Sequence, residues 1–168
     1  MRVFIGMRLN DCINDIVMIQ EQLRIKGVTG NYTLFENIHS TLFFLGELSV
    51  MIIDKVKKAM DNLCYSSIEV EIINVNNIRD IVILELRRNK EIIMLYEGLK
   101  GKLIEQGFEI EQRPFYPHIT LVRKSNMIHK QKVSLKSQVN EIVLFSSKRI
   151  NGRLLYNPIY KKSLRSNK

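Results

Sequence analysis

Apolar and polar positions alternate at the start of the chain. In RVFIGMRL, Val3, Ile5, Met7 and Leu9 fall on one side of an extended segment, the period-2 pattern of a strand. The period then lengthens: Ile13, Ile16, Val17, Gln20 and Leu23 recur at helical spacing, Asn10 or Asp11 stands where a cap belongs, and Gly27 stands where a helix stops. A polar stretch leads into HSTLFFLG, a short run rich in strand formers. The same order then returns. DIVILELR predicts a strand, NKEIIMLYEGLKGKLIEQ a helix of about five turns, Gly107 its stop, and the proline-bearing RPFYP an approach to HITLVR. Between the two, Ile52, Ile53, Val56, Met60 and Leu63 make one helical face over 50–64 with Ser49 as cap. SIEVEIINV alternates as a strand and is predicted to pair with DIVILELR through a turn in the Asn76-Asn77 region. EIVLFSSKRINGRLLYNPIY predicts a hairpin turning at Asn151-Gly152.

Two similar halves emerge from this pattern. Arg2 and Ile81 begin corresponding strands 79 positions apart, and His39 and His118 are separated by the same 79. Strands and helices in mixed order, with hairpins, predict an α+β fold. The expected architecture is two pseudo-symmetric lobes, each a largely antiparallel sheet with helices packed outside, around a central cleft. A chain of 168 residues without a Pro/Gly/Ser-rich linker fits one two-lobed domain over 1–168.

Composition sharpens this only in part. A chain of this size buries a core without disulfide staples. Cys12 and Cys64 lie in stretches predicted helical, outside any CxxC, and are expected as free thiols suited to a reducing cytoplasm. The N-terminal apolar stretch is too short and too alternating for a signal peptide or membrane span, so no membrane association is expected. A net charge of +9 favours phosphate-bearing partners. Part of that excess is the tail KKSLRSNK, expected as a frayed end.

The chemistry lies in two triplets, His39-Ser40-Thr41 and His118-Ile119-Thr120. Residues i and i+2 of a strand share a face, so each histidine accompanies its own threonine while Ser40 and Ile119 point the other way. Packed about a pseudo-twofold axis, the two faces line one cleft with two imidazoles and two hydroxyls. Such a set suits hydrolysis of a cyclic phosphodiester: one imidazole takes a proton from water, the other protonates the departing ribose oxygen, and the threonines hold phosphate oxygens. A lone HxT in a strand is weak evidence, since such a histidine is more often a packing partner; the matched pair is not. Zinc requires three or four ligands, and only His129 remains, without nearby Cys or carboxylate partners, so neither metal nor cofactor is expected.

The strings NIHSTLFFLGE and RPFYPHITLVR resemble the two signature segments of the bacterial and archaeal RNA 2',3'-cyclic phosphodiesterases, historically called 2'-5' RNA ligases, of the two-histidine phosphoesterase superfamily. RVFIGMRL resembles the opening strand of that family and VNEIVLFSSKRINGRLLYNPIY its closing hairpin, so the resemblance covers nearly the whole chain. It implies a two-lobed fold with a central cleft and a 2'-phosphomonoester product. It also implies His39 as general acid, His118 as general base, and Thr41 and Thr120 as phosphate ligands. Arg123 matches a place where the family often carries a basic residue, and is a candidate phosphate contact. Strict alternation puts it opposite to Thr120 unless the strand ends or bulges there. Tyr32 stands where relatives often carry tryptophan and, with Phe44 and Phe115, is a candidate for stacking on a base. Tyr116 is a further possible member of that platform. Pro114 and Pro117 are expected to fix the approach to the strand.

The expected activity is metal-independent opening of a 2',3'-cyclic phosphate on RNA or a nucleotide, with no obligate protein partner. The alternatives are a phosphodiesterase or ligase acting on 2'-5' linkages, and a non-catalytic module that binds RNA ends.

Overall fold

Strand β1 (Arg2–Met7) is buried from Val3 to Met7, where an alternating strand would leave one face in water. Both of its faces are covered because it lies inside the sheet, antiparallel to β3 (Ser40–Glu47) on one side and to β8 (Glu141–Ile150) on the other. β9 (Arg153–Ser163) follows β8 through Asn151 and Gly152, which take φ of 53° and 77°, the left-handed pair that a two-residue hairpin requires. The second half repeats the plan. β5 (Ile81–Leu86) is central between β4 (Ile68–Ile78) and β6 (His118–Arg123), with β7 (Gln131–Val139) outside β4. The short β2 (Asn31–Tyr32) pairs with the end of β6. This is a computed structural model, and it describes residues 1–165.

The order β7-β4-β5-β6-β3-β1-β8-β9 is palindromic in role. Each half has an inner strand carrying a His-x-Thr motif, a buried central strand and an outer hairpin, so the fold is the expected α+β, antiparallel and two-lobed. The halves meet through one register pair of β3 and β6, Ser40 opposite Ile119. Those two residues are themselves 79 positions apart, so the local twofold axis runs between the middle residues of the two motifs.

Helices α1 (Ile13–Ile25) and α3 (Lys90–Glu105) end alike. Gly27 and Gly107 adopt φ of 88° and 93°, and the next residue donates back five positions, Val28 N to Leu23 O at 3.0 Å and Phe108 N to Leu103 O at 3.1 Å. Asn89 caps α3 and Ser49 caps α2 (Val50–Asp61), each side chain accepting from the backbone N–H three residues on. Ile16 and Leu23, Ile53 and Val56, and Leu95 and Leu99 sink from the three helices into one apolar core shared by both halves.

Four local expectations fail. Neither Asn10 nor Asp11 caps α1: residues Asn10–Cys12 form a 3-10 turn, and Asp11 Oδ2 instead accepts from Gln138 N at 2.8 Å, tying the turn to β7. The β4–β5 turn is Arg79–Asp80, because Asn76 and Asn77 stay in the ladder opposite Ile83 and Val82. Cys12 lies in the 3-10 turn and Cys64 beyond the end of α2, so neither is α-helical, although both are free thiols as expected. The tail is not frayed over its first five residues: Lys161–Ser163 complete β9, Leu164 is buried and Arg165 bridges Ser66, while residues 166–168 lie outside the described part. Among the described residues no helix is long and apolar enough to cross a membrane.

Candidate functional site

In an antiparallel pair, the neighbours of a matched pair face each other. With Ser40 opposite Ile119, each histidine therefore lies across from the threonine of the other motif. His39, Thr41, His118 and Thr120 line one cavity of about 540 Å³. Ser40 and Ile119 are fully buried on the reverse face. Arg2, Arg123, Lys148 and Arg149 also line the cavity, and Phe4, Phe44 and Tyr156 supply its apolar wall; no carboxylate takes part.

Both inner strands carry a bulge just past the motif. Along β6, Thr120 pairs with Ile83 and Val122 with Val82, so Leu121 is the extra residue. Its carbonyl accepts from Thr33 N at 2.9 Å and from the buried Gln20 side chain at 3.2 Å, which holds the bulge open. The consequence is a change of phase. Leu121 and Val122 are both buried, and Arg123 returns to the face of His118 and Thr120, resolving the position that alternation left open. In β3 the shift between Ile5–Phe43 and Gly6–Thr41 leaves Leu42 extra, at the position equivalent to Leu121. Leu42 and Phe43 are buried, and Phe44, equivalent to Arg123, emerges in the cavity 55% exposed with the Arg2 guanidinium 4.9 Å from its ring centre. One half thus presents an aromatic ring at the place where the other presents a cation.

The histidines are oriented alike and surrounded differently. His39 Nδ1–H donates to Asn37 O at 2.6 Å, and His118 Nδ1–H to Tyr116 O at 2.7 Å, so both rings turn Nε2 toward the cleft. His39 Nε2 lies 2.8 Å from Thr41 Oγ1, placed to accept its hydroxyl proton. The His39 ring is packed by Phe4, Phe145 and Tyr156, with ring centres 4.8, 5.9 and 5.2 Å away. Burial pushes its pKa down from 6.5 to about 4; the Asn37 carbonyl opposes the shift, and the charges of Arg8, Arg123 and His118 add to it. His39 is therefore neutral at pH 7 in the free protein.

Gly6 makes this arrangement possible. A Cβ there would lie 2.9 Å from Ser40 O and 3.3 Å from His39 Cδ2, so the imidazole occupies space that any other residue would take. Sequence reasoning passed over Gly6, Phe4, Arg2, Arg149 and Tyr156. Phe4 and Gly6 were accessible in principle, being the i and i+2 residues on the second face of β1. Tyr156 and Arg149 come from the distant hairpin and carry no local signal.

Two candidates lie elsewhere. Phe115 is stacked on Tyr96, ring centres 4.1 Å apart and 5° from parallel, and Tyr96 stacks in turn on Phe43; it is packing and not a base platform. Tyr32 lines an adjoining groove and not the motif cavity, with one ring face covered by the Arg24 guanidinium at 4.0 Å. Tyr116 does not line the motif cavity; its hydroxyl donates to Glu85 at 2.7 Å. His129 contacts Gln131 outside the cleft, and no three potential metal-ligating side chains converge among the described residues.

No family model matches the chain. An RNA 2',3'-cyclic phosphodiesterase of Thermotoga maritima is 28% identical over 134 residues, 73% of this chain and 70% of that protein. A Bacillus subtilis protein of the same name is 33% identical over 93 residues, 51% of each chain. The crystal structure of Escherichia coli LigT complexed with NADP+ superposes with a TM-score of 0.81 at 25% identity, over 98% of this chain and 97% of that one. Relatives and fold agree with the mirrored motifs, and the chain belongs to the two-histidine phosphoesterase family.

Proposed function

We propose that this protein hydrolyses the 2',3'-cyclic phosphate of an RNA end or nucleotide to a 2'-phosphomonoester, without metal or cofactor. The observation that carries the reading is the meeting of both His-x-Thr faces, across a local twofold, in one cationic cavity free of carboxylates. The T. maritima and B. subtilis relatives bear the name of that activity.

Water attacks phosphorus in line with the P–O3' bond. One histidine accepts the proton that water loses, the P–O3' bond breaks, and the other histidine protonates O3', leaving the phosphate on O2'. Thr41 and Thr120 donate to the non-bridging oxygens, and Arg123 offsets their charge. Thr41 turns its proton from His39 Nε2 to the phosphate as the substrate enters.

The family resemblance makes His39 the acid, and its surroundings set a condition on that role. A neutral His39 must first gain a proton, and the incoming phosphate supplies the cause by opposing the charges of Arg8 and Arg123 that help keep it deprotonated. Calorimetry of 2'-phosphonucleotide binding near pH 6.5, in buffers of different ionisation enthalpy, then shows uptake of about one proton by linkage. Binding without proton uptake would reverse the roles, making His39 the base. For either order, His39→Ala and His118→Ala each lower turnover by about two to four orders of magnitude. Normal turnover with weakened RNA binding would instead establish a binding module. The free thiols fit a reducing compartment, and we place the enzyme in the cytoplasm.

A further inference from the structure

A second cavity, about 670 Å³, opens beside the first. The two share Arg123, Arg149, Leu154 and Tyr156, so they form one continuous channel over the sheet. The wall between them is fixed from within. Asn37 is buried; its side chain donates to Leu154 O at 2.7 Å and accepts from Tyr156 N at 3.1 Å, while its carbonyl accepts from His39 Nδ1. Groove and acid–base centre are therefore held in one register by a single residue.

The lining of the groove has one sign. Arg24, Arg123, Arg149 and Arg153 face it, and no carboxylate does. Among the described residues only Arg24 of these four has an ion-pair partner, Glu21, on its own helix. A solvated basic surface scatters its charges and mixes in acidic ones; here four guanidinium groups converge on a concave strip. Beside them lies a flat, fixed platform, the Arg24 guanidinium over the Tyr32 ring, whose hydroxyl donates to Val28 O at 2.6 Å. A cationic track with a stacking surface is the chemistry that holds single-stranded nucleic acid without reading its sequence.

We propose that this groove binds the RNA strand immediately upstream of the terminal nucleotide, so that the preferred substrate is a single-stranded RNA end and not a cyclic mononucleotide. The inference rests on the cyclic phosphodiesterase reading and adds the substrate class. The terminal nucleotide occupies the motif cavity, the preceding phosphates run along Arg149 and Arg153, and an upstream base stacks on the exposed side of Arg24.

The test compares one cyclic mononucleotide with a single-stranded hexamer of the same terminal base and cyclic end, for wild type and the double variant R24A/R153A. Neither substituted residue lines the motif cavity. Wild type is expected to show kcat/KM about tenfold or more higher on the hexamer. The variant loses about tenfold on the hexamer, stays within about twofold on the mononucleotide, and keeps the wild-type Tm. Binding of a labelled hexamer ending in a 2'-phosphate, followed by anisotropy, gives a log–log salt slope smaller by about 1.4 in the variant, the value for two lost phosphate contacts on a single strand. Equal kcat/KM for both substrates in wild type, equal loss on both in the variant, or an unchanged slope overturns the proposal. If neither substrate turns over, the hydrolase reading fails, and the anisotropy still decides the groove.

Discussion

Replacing His39 by Gln removes a titrating group whose native environment opposes its charged form. The unfolded imidazole titrates near 6.5 and the folded one near 4. Between those values the unfolded state binds more protons, so the stability of the wild type falls as pH drops. The slope is about 1.4 kcal/mol per pH unit. Above pH 6.5 the term is absent, and below pH 4 it is fully expressed. Its total is up to about 3 kcal/mol, because one edge of the ring stays open to the cleft. Carboxylates titrate over part of this range in both proteins and cancel in the difference. Urea unfolding from pH 7 to pH 4 is the assay: the stability gap between wild type and His39→Gln shifts against the wild type by about 2–3 kcal/mol as pH falls. A gap constant within about 0.5 kcal/mol, or a His39 imidazole titrating at or above 6.5 by NMR, refutes the argument that Phe4, Phe145 and Tyr156 desolvate the ring.

Gly6→Ala forces β1 from β3 or the imidazole from its seat. It is expected to cost about 1–3 kcal/mol in urea unfolding and, by misplacing His39, to lower turnover by about a hundredfold. Unchanged activity would show that the cleft tolerates the displacement. Gln20→Leu leaves the bulge carbonyl of Leu121 with only Thr33 N as donor, so we expect a loss of about 1–3 kcal/mol and a raised KM as Arg123 shifts; a KM equal to wild type counts against the bulge as its positioning device. Phe44→Ala, at an exposed ring, is expected to leave Tm within a few degrees and to raise KM for nucleotides several-fold. An unaltered KM would restrict Phe44 to packing with Arg2.

The lobes and the motif residues were legible because each rests on a local period. Alternation pairs each histidine with its threonine, and the 79-residue offset places the two pairs in equivalent strands. Arg123 and Phe44 were only half legible. Strict alternation sends both to the core face, and what returns them to the cleft is the extra residue at Leu121 and Leu42, held in β6 by a side chain from a distant helix. No short window of sequence contains that information. Phe115 failed for the opposite reason: proximity to His118 in the chain suggested the cleft, but Tyr96 on α3 offers a parallel aromatic face and captures the ring. Asp11 was read as a cap from spacing alone, and the tertiary contact with Gln138 N displaced that role. The walls of the site, Tyr156 and Arg149, belong to the hairpin that returns to β1 from the far end of the chain, a pairing visible only in the folded sheet.

The account's central claim is that two opposed histidines open the cyclic phosphate on its 3' side. Phosphorus NMR of the product from a 2',3'-cyclic nucleotide, with excess chelator present, tests it most directly. The account predicts a 2'-phosphomonoester formed at the same rate with and without chelator; a 3'-phosphate, or turnover abolished by the chelator, would contradict it.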